Sequence, residues 1–272
     1  MRLPLSVARC WLCWLGGNRD RSGMLIIAVP VVMALMLAGC SPKSETAGQS
    51  KSASKSEPAV DTLSAAQVIQ RMAQTYAQCK TYTDTGTDTS VTTSKSGEDT
   101  GVPNSVDVLQ FSTAMVRPNQ FRFEYSEKGK IASGCVVWKS GQEVKVSMAG
   151  PPEYNKSLDM ALAFATGISD GTAHTIPALL MPSEVTGTKL TDIQKPVRGE
   201  DKSIDGRNCF SIQGQLPGGR STIWIDQESF LVRRFEQSYP FGEGVTVAQR
   251  TDYQPVINQD VAAKLLEYNP PK

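Results

Sequence analysis

The sequence has little of what catalytic sites are usually built from. It contains a single histidine, His174, in 272 residues, so two imidazoles cannot share a metal ion. No G-x-S-x-G motif is present to hold a nucleophilic serine. Asp226 and Glu228 lie in a segment typical of a turn, and nothing around them suggests a sugar cleft. We therefore predict a protein that is not an enzyme and has no cofactor or metal, with His174 as a polar residue at a helix end.

An excess of charge of one sign is also missing. Lysine and arginine number 28 against 27 aspartates and glutamates, which gives a formal net charge of +1. A nucleic-acid-binding surface requires a concentration of basic side chains, whereas the lysines here are scattered among serines. This balance argues against nucleic acid as a partner.

Long hydrophobic runs are absent as well. The main apolar block extends from Met24 to Leu37 and includes Pro30, whereas a helix that crosses a bilayer needs about 20 apolar residues. Arg19 and Arg21 precede the block. A short apolar core behind basic residues is typical of a signal peptide.

The end of this block, Leu37-Ala38-Gly39-Cys40, matches the lipobox of bacterial lipoproteins. In those proteins the cysteine thiol receives a diacylglyceryl group, and the chain is cleaved before the cysteine. We predict a signal peptide at residues 1–39, a lipid on Cys40 and a flexible, serine-rich linker at residues 40–60. The alternative is a short membrane anchor that ends at an unmodified cysteine. Because Ser41 rather than an aspartate follows, the expected location is the bacterial envelope, on the outer membrane facing the periplasm.

The folded part begins with signals for a helix. Ser64 and Gln67 have the spacing of a capping box, and Leu63 can pack on Val68 across the first turn. Apolar residues then recur on one helical face. The pattern predicts a helix that runs to about Lys80.

From Thr81 the hydrophobic pattern changes to a period of two residues. The first such segment, "TYTDTGTDTSVTTS", is polar and typical of a strand with one solvated face or of a sheet edge. "NQFRFEYSE" alternates aromatic and polar residues, and "GCVVWKSGQEVKVSM" predicts a hairpin that turns at Ser140-Gly141. A later strand is predicted around Lys189–Asp192. About ten strands with short turns and no alternating helices predict an antiparallel sheet.

The segment "SLDMALAFATGISDGTAHTIPALLMP", residues 157–182, interrupts the strands and is strongly apolar. Its spacing predicts a short helix that ends at Gly167 and a second apolar turn that ends at Pro182. An apolar insert must be buried, and the concave face of a curved sheet is the place available to it.

Four motifs occur in order along residues 62–272. They are the first helix with "KTYTDTG", then "MVRPNQFRFEY", "TIWIDQESFLVRRFE" and the closing "LLEYNPPK". Together they resemble the LolA/LolB superfamily of lipoprotein carriers, with its LppX and RseB relatives, and a branch of periplasmic lipoproteins within it. For residues 61–272 the resemblance implies a mainly β fold with helices (α+β). The expected architecture is an incomplete antiparallel β-barrel of about ten strands, one N-terminal helix and a helical insert over the concave face.

The resemblance also implies a function. We expect a membrane-anchored lipoprotein that binds lipid or lipoprotein acyl chains in an apolar cavity, as a carrier or receptor without covalent chemistry. Arg117 occupies the family's Arg-Pro position, which in the carriers holds the helical lid closed; the alternative is an ion pair at a strand end. The expected lining residues are Phe121, Phe123, Leu162, Ile176, Leu179, Leu180, Ile223 and Ile225.

Two alternatives stay open at this stage. The eight lining residues are equally compatible with a closed hydrophobic core. The second functional hypothesis is an envelope sensor or protein-interaction module of the RseB type, which carries no ligand and binds an envelope protein partner.

The cysteines allow one further prediction. Outside the leader and Cys40, three remain, and thiols beyond the inner membrane tend to oxidise. Three thiols allow one disulfide, and Cys135 with Cys209 is the first candidate because both fall in predicted strands. The alternative is three buried thiols, Cys79 included, that never pair.

Overall fold

The structure of the protein, a computed structural model, describes residues 63–95, 101–127, 130–148, 153–154 and 157–269. All of these residues belong to one compact unit, Ala59–Lys272. The signal peptide at residues 1–39, the linker at residues 40–60 and the lipidated Cys40 lie outside the described residues and stay predictions.

Helix α1, Ala65–Gln78, opens the fold. The Ser64 hydroxyl accepts from the Gln67 N–H at 3.3 Å, and the Gln67 side chain accepts from the Ser64 N–H at 2.8 Å, so the predicted capping box is confirmed. The helix ends two residues before the predicted position because Cys79 has extended backbone angles. One face of α1 is buried against the sheet and the insert, and it consists of Ala65, Val68, Ile69, Met72 and Tyr76.

The strands form a single antiparallel sheet. Their bounds are β1 (Thr81–Ser94), β2 (Ser105–Val116), β3 (Gln120–Glu127), β4 (Lys130–Ser140), β5 (Glu143–Met148), β6 (Glu153–Tyr154), β7 (Gln194–Arg198), β8 (Lys202–Ile204), β9 (Arg207–Leu216), β10 (Gly219–Asp226), β11 (Val232–Pro240), β12 (Val245–Tyr253) and β13 (Val256–Ile257). Their order in the sheet is β6-β5-β4-β3-β2-β1-β12-β11-β10-β9-β7, with β13 beside β1 and β8 beside β9. This order has two ends, so the described sheet is open, and the predicted fold class is confirmed.

Some details of the strand prediction differ. The described sheet has 13 strands rather than about ten, because β6, β8 and β13 are pieces of two or three residues. Leu190–Asp192 is a 3₁₀ turn and not a strand, since the Asp192 carboxylate accepts from the Lys189 N–H at 2.8 Å and closes the chain into a turn. The hairpin at Ser140-Gly141 is confirmed, and Gly141 has a φ of 60°, which favours glycine.

Strand β1 lies at the centre of the sheet and not at an edge. It pairs with β2 along 12 residue pairs and with β12 along nine. Since β12 lies near the other end of the chain, these pairings join the early strands to the late ones. The prediction of one solvated face is confirmed, since the odd-numbered residues of β1 are intermediate or exposed, whereas the alternative of a sheet edge is wrong because β2 and β12 flank the strand.

A C-terminal segment covers part of the outer face of the sheet. It forms a 3₁₀ turn, Ala263–Leu266, that packs on β2 and β3. The Trp138 indole N–H donates to the Leu266 carbonyl at 2.7 Å. This cover explains why Arg122, on the outer face of β3, is only 8% exposed.

The predicted disulfide between Cys135 and Cys209 is wrong, because Cys79, Cys135 and Cys209 are all free and buried. Cys135 on β4 belongs to the main core, whereas Cys209 on β9 belongs to a separate cluster with Ile204 and Trp224. Six strands stand between β4 and β9, whereas a disulfide needs Cα atoms within about 7 Å of each other. The alternation of apolar and polar residues predicts a strand but not its position in the sheet. The sequence therefore could not show that the two thiols are far apart.

We expect the chain from residue 41 onward to expose no reactive thiol while folded and to release three thiols per chain when unfolded. Burial raises the pKa of Cys135 to about 12 and that of Cys209 to about 11, so both thiols stay protonated at neutral pH. Titration with a thiol-reactive dye, with and without denaturant, measures both numbers. Loss of two thiols in the unfolded chain after purification without reductant would reveal a disulfide.

Candidate functional site

The insert, residues 157–182, folds as helices α2 (Leu158–Thr166), α3 (Thr172–Thr175) and α4 (Pro177–Leu180). Ser157 caps α2 and Gly167 follows its last residue, so the predicted end of this helix is confirmed. Helix α2 packs on β4 and β5, and α4 packs on α1. The insert therefore lies over the inner face of the sheet, as its apolar sequence predicts.

Arg117 links the insert to α1 and to the corner between β2 and β3. Its Nε donates to the Cys79 carbonyl at 2.7 Å, and one terminal nitrogen donates to the carbonyls of Tyr76 at 3.1 Å and Leu180 at 2.6 Å. These carbonyls lie at the C-terminal ends of α1 and α4, where backbone acceptors lack helical partners and carry partial negative charge. Among the described residues Arg117 contacts no carboxylate, so the alternative of a strand-end ion pair does not hold. Its role in holding a lid closed stays a proposal.

Other polar contacts connect the insert region to the sheet. Lys139 on β4, which is 8% exposed, forms an ion pair with Glu184 just after the insert. The Gln249 amide on β12 donates to the Asp170 carbonyl in the turn between α2 and α3. The Ser90 hydroxyl on β1 donates to the Asp170 carboxylate at 3.2 Å. The insert region is thus attached to β4, to β1 and to β12.

His174 lies in the last turn of α3, as expected of a polar helix-end residue. Its Nε2–H donates to the Thr186 carbonyl at 2.6 Å. Asp159 of α2 accepts from the Thr186 N–H at 2.8 Å and from its hydroxyl at 2.9 Å. Both side chains therefore position the loop that follows the insert.

The eight expected lining residues are divided evenly between the sheet and the insert. Those from the sheet are Phe121 and Phe123 on β3 and Ile223 and Ile225 on β10; those from the insert are Leu162, Ile176, Leu179 and Leu180. All eight are at most 3% exposed and belong to one hydrophobic cluster. The structure brings them together as a closed core, so ligand lining stays a proposal that requires the insert to move.

Two open grooves lie elsewhere on the surface. One, of about 420 Å³, is lined by outward polar residues of β1, β2 and β3 such as Thr85, Gln110 and Glu124. The other, of about 450 Å³, is lined by residues of β9 to β12 such as Gln215 and Arg220. None of the eight expected lining residues borders either groove.

Sequence reasoning missed a line of buried polar side chains on the inner face, which we call the polar seam. It consists of Asp84, Asp88, Ser90 and Thr92 on β1 and of Gln249 and Thr251 on β12, all at most 9% exposed. Burial raises the pKa of both aspartates to about 7. The signal was available, since Asp84 and Asp88 share the parity of the apolar Tyr82 along the strand.

Neither a metal cluster nor a membrane-spanning helix occurs in the part of the chain that the structure describes. No three or more His, Cys, Asp or Glu side chains there are placed to hold a metal ion. Likewise, no helix in those residues is long and apolar enough to cross a bilayer.

Neither a family model nor a curated protein matches this chain, but solved structures do. The LolA superfamily protein NE2245 from Nitrosomonas europaea is 11% identical with a TM-score of 0.30, over 75% of this chain and 98% of that chain. LprF from Mycobacterium bovis is 12% identical with a TM-score of 0.36, over 76% of this chain and 97% of LprF. A chain of the Pseudomonas aeruginosa MucA/MucB complex is 13% identical with a TM-score of 0.42; the match covers 75% of this chain and only 61% of that chain.

We expect Arg117→Ala to lower the free energy of unfolding by about 3 kcal/mol, because three carbonyls at helix ends lose a charged donor. Arg117→Lys should lower the free energy of unfolding by an intermediate amount, since a lysine ammonium cannot reach all of the carbonyls that the planar guanidinium bonds. Urea denaturation followed by circular dichroism measures both. The matched control is Arg207→Ala, which removes an exposed ion pair with Glu228 and should cost at most about 1 kcal/mol. Equal losses in Arg117→Ala and Arg207→Ala would contradict the linking role.

Proposed function

We propose that this chain is a membrane-anchored lipoprotein whose folded domain binds lipid or lipoprotein acyl chains between the insert and the inner face of the sheet. It acts as a carrier or receptor and performs no covalent chemistry. The observation that supports this most directly is the attachment of the insert. Residues 157–182 cover an apolar face yet contribute no strand to the sheet, and side chains such as Arg117 and Gln249 hold them.

The helices of the insert depend on burial for their stability. Helices α3 and α4 have four residues each, which is far too short for a helix to be stable alone in water. Leu179 and Leu180 of α4 instead gain their stability from contact with the core. An acyl chain that enters beneath the insert replaces one apolar contact by another and gains about 0.8 kcal/mol per buried methylene, which offsets the cost of lifting the insert.

The anchor explains where such a domain works. A lipid on Cys40 holds the chain at a membrane, and 22 residues separate Cys40 from Leu63. A serine-rich linker of this length has a root-mean-square span of about 25 Å. The domain then stays within reach of one membrane surface, which favours a stationary receiver over a travelling shuttle. The bacterial envelope, with the outer membrane facing the periplasm, is the location that fits.

We expect Cys40→Ala to abolish incorporation of radiolabelled palmitate and to leave the precursor uncleaved at full length. The thiol is the only lipid acceptor in the lipobox, and the processing peptidase requires the lipid. Metabolic labelling followed by gel electrophoresis measures both effects. Cys79→Ala is the matched control and should be labelled and cleaved normally; cleavage of Cys40→Ala at the same site would contradict lipidation.

A different observation favours the second candidate, a protein-interaction module of the RseB type. Met160, Phe164 and Ile168 are 52%, 48% and 37% exposed, although they are large and apolar. Met160 and Phe164 are four residues apart on α2 and share one side of the helix, opposite the side that carries buried Leu162. Ile168 follows in the turn after the helix. An apolar side left open to solvent fits a partner surface. In this case the insert binds an envelope protein and stays closed over the core.

Native mass spectrometry of the chain from residue 41 onward separates the two candidates. For the carrier, we expect copurified lipid on the wild type and loss of that lipid in Leu179→Glu, with the cooperative thermal transition retained. The reason is that a charge beneath the insert opposes an acyl chain. Leu265→Glu is the control, since Leu265 is 39% exposed and should keep its lipid. If the wild type carries no lipid and Leu179→Glu does not fold, the carrier hypothesis is contradicted. The insert then covers a closed core, and the interaction module is the remaining candidate.

A further inference from the structure

Asp88 is fully buried on the inner face of β1, and one of its oxygens has no hydrogen-bond partner among the described residues. Its Oδ1 accepts from the Thr251 hydroxyl at 2.5 Å and from the Gln249 amide at 2.9 Å, whereas Oδ2 accepts no hydrogen bond. Tyr253, whose side chain points to the same face from β12, is 2% exposed, and its hydroxyl also has no hydrogen-bond partner in the part of the chain that the structure describes. Buried acceptors without donors are costly, so a donor from outside the chain would be stabilised here.

Asp170 approaches the same place from the insert. The Gln249 amide bonds both the Asp88 carboxylate and the Asp170 carbonyl, so it bridges the two residues. Within the residues that the structure describes, the Asp170 carboxylate accepts a hydrogen bond only from Ser90, the next inward residue after Asp88 on β1. Among the described residues, neither carboxylate forms an ion pair with a lysine or an arginine. Because Asp170 is exposed, these groups form a site with a buried end and an open end.

We propose that Asp88, Tyr253 and Asp170 bind the primary ammonium group of an amphiphile whose alkyl chain lies beneath the insert. This inference rests on the proposed lipid-binding function, since the insert must lift to admit the chain. It adds a preference for one class of headgroup to that function.

The chemistry of a primary ammonium matches the site. It offers three N–H donors and one positive charge, against a free carboxylate oxygen, a phenolic oxygen and a second carboxylate. Charge-assisted hydrogen bonds of this kind are short and strong. A quaternary ammonium has the charge but no donors, and a fatty acid carboxylate is repelled by Asp88 and Asp170.

The site also has a pH dependence whose direction follows from its charges. Burial, with smaller contributions from Asp170 and Asp252, raises the pKa of Asp88 to about 7, so Asp88 is neutral below this pH and ionised above it. Asp84 precedes Asp88 on the same face of β1. Burial also raises the pKa of Asp84 to about 7, so the two carboxyl groups titrate in the same pH range. Tyr253 and Tyr82 stay neutral because burial raises their pKa values well above the usual range. An alkylammonium with a pKa of about 10 stays charged, so its affinity should rise from pH 6 to pH 8.

Three probes with the same alkyl chain test the proposal: dodecylamine, dodecyltrimethylammonium and dodecanoate. Isothermal titration calorimetry of the full mature chain measures each affinity at pH 6 and pH 8. We expect dodecylamine to bind about tenfold more tightly than the other two at pH 8 and to lose most of this preference at pH 6. Competition by free ethanolamine would identify a soluble amine as the natural source. Uptake from phosphatidylethanolamine vesicles in preference to phosphatidylcholine vesicles would instead identify a lipid headgroup.

Asp88→Asn tests the buried end of the site and Asp170→Asn tests the open end. Both should abolish the preference for dodecylamine, whereas dodecyltrimethylammonium, which loses only a charge attraction and no hydrogen bond, should be weakened much less. Asp170→Asn keeps the test decisive if Asp88→Asn fails to fold, because Asp170 is exposed. Asp260→Asn makes the same charge change at an exposed position in the C-terminal segment and should keep the preference.

The outcomes separate this inference from the function on which it rests. If the wild type binds none of the three probes, lipid binding itself fails and the ammonium site fails with it. If all three bind with equal affinity, or if the preference persists in Asp88→Asn and Asp170→Asn, only the ammonium site is overturned.

Discussion

Antiparallel pairing of β1 with β12 joins two parts of the chain that are more than 150 residues apart along the sequence. Through this pairing the strands that precede the insert and the strands that follow it form one sheet with a common inner face. The insert needs that continuous surface, because its helices are too short to hold their shape without it. The register of β1 also determines which polar groups lie on this surface, since it places the side chains of Asp84 and Asp88 on the inner face beneath the insert.

The inner face therefore combines two chemistries that a simple core would keep apart. Toward β3 and β10 it is apolar, with Phe121 and Ile223 in contact with the hydrophobic cluster. Along β1 and β12 it carries the polar seam, whose carboxylates lack cationic partners among the described residues. The insert covers both regions and is attached to both, by Arg117 at the end of α4 and by Gln249 at the turn before α3. A ligand with an alkyl chain and a polar head has a matching apolar part and polar part.

Local patterns gave the local structure correctly. The capping box at Ser64, the hairpin at Ser140-Gly141 and the end of α2 at Gly167 each depend on residues a few positions apart, so the sequence contains the whole signal. Errors arose where the outcome depends on distant partners. The residues of β1 left open whether the strand lies at a sheet edge, because nothing in them shows that β2 and β12 pair with it on both sides. Cys135 and Cys209 could not be distinguished, because the residues of one strand do not determine the order of the strands in the sheet.

The candidate site divides in the same way. From its residues alone the chain determined an apolar insert, an Arg-Pro corner at Arg117 and the eight apolar residues of the sheet and the insert, because hydrophobic periodicity and turn chemistry are local properties. Only the tertiary structure decided that these residues pack as a closed core and that Arg117 bonds three helix-end carbonyls. It also placed Asp88, one of whose oxygens has no partner among the described residues, beside the Gln249 amide that bonds the turn carrying Asp170. Burial and hydrogen bonding between strands and insert depend on the register and order of the whole sheet, which no single segment specifies.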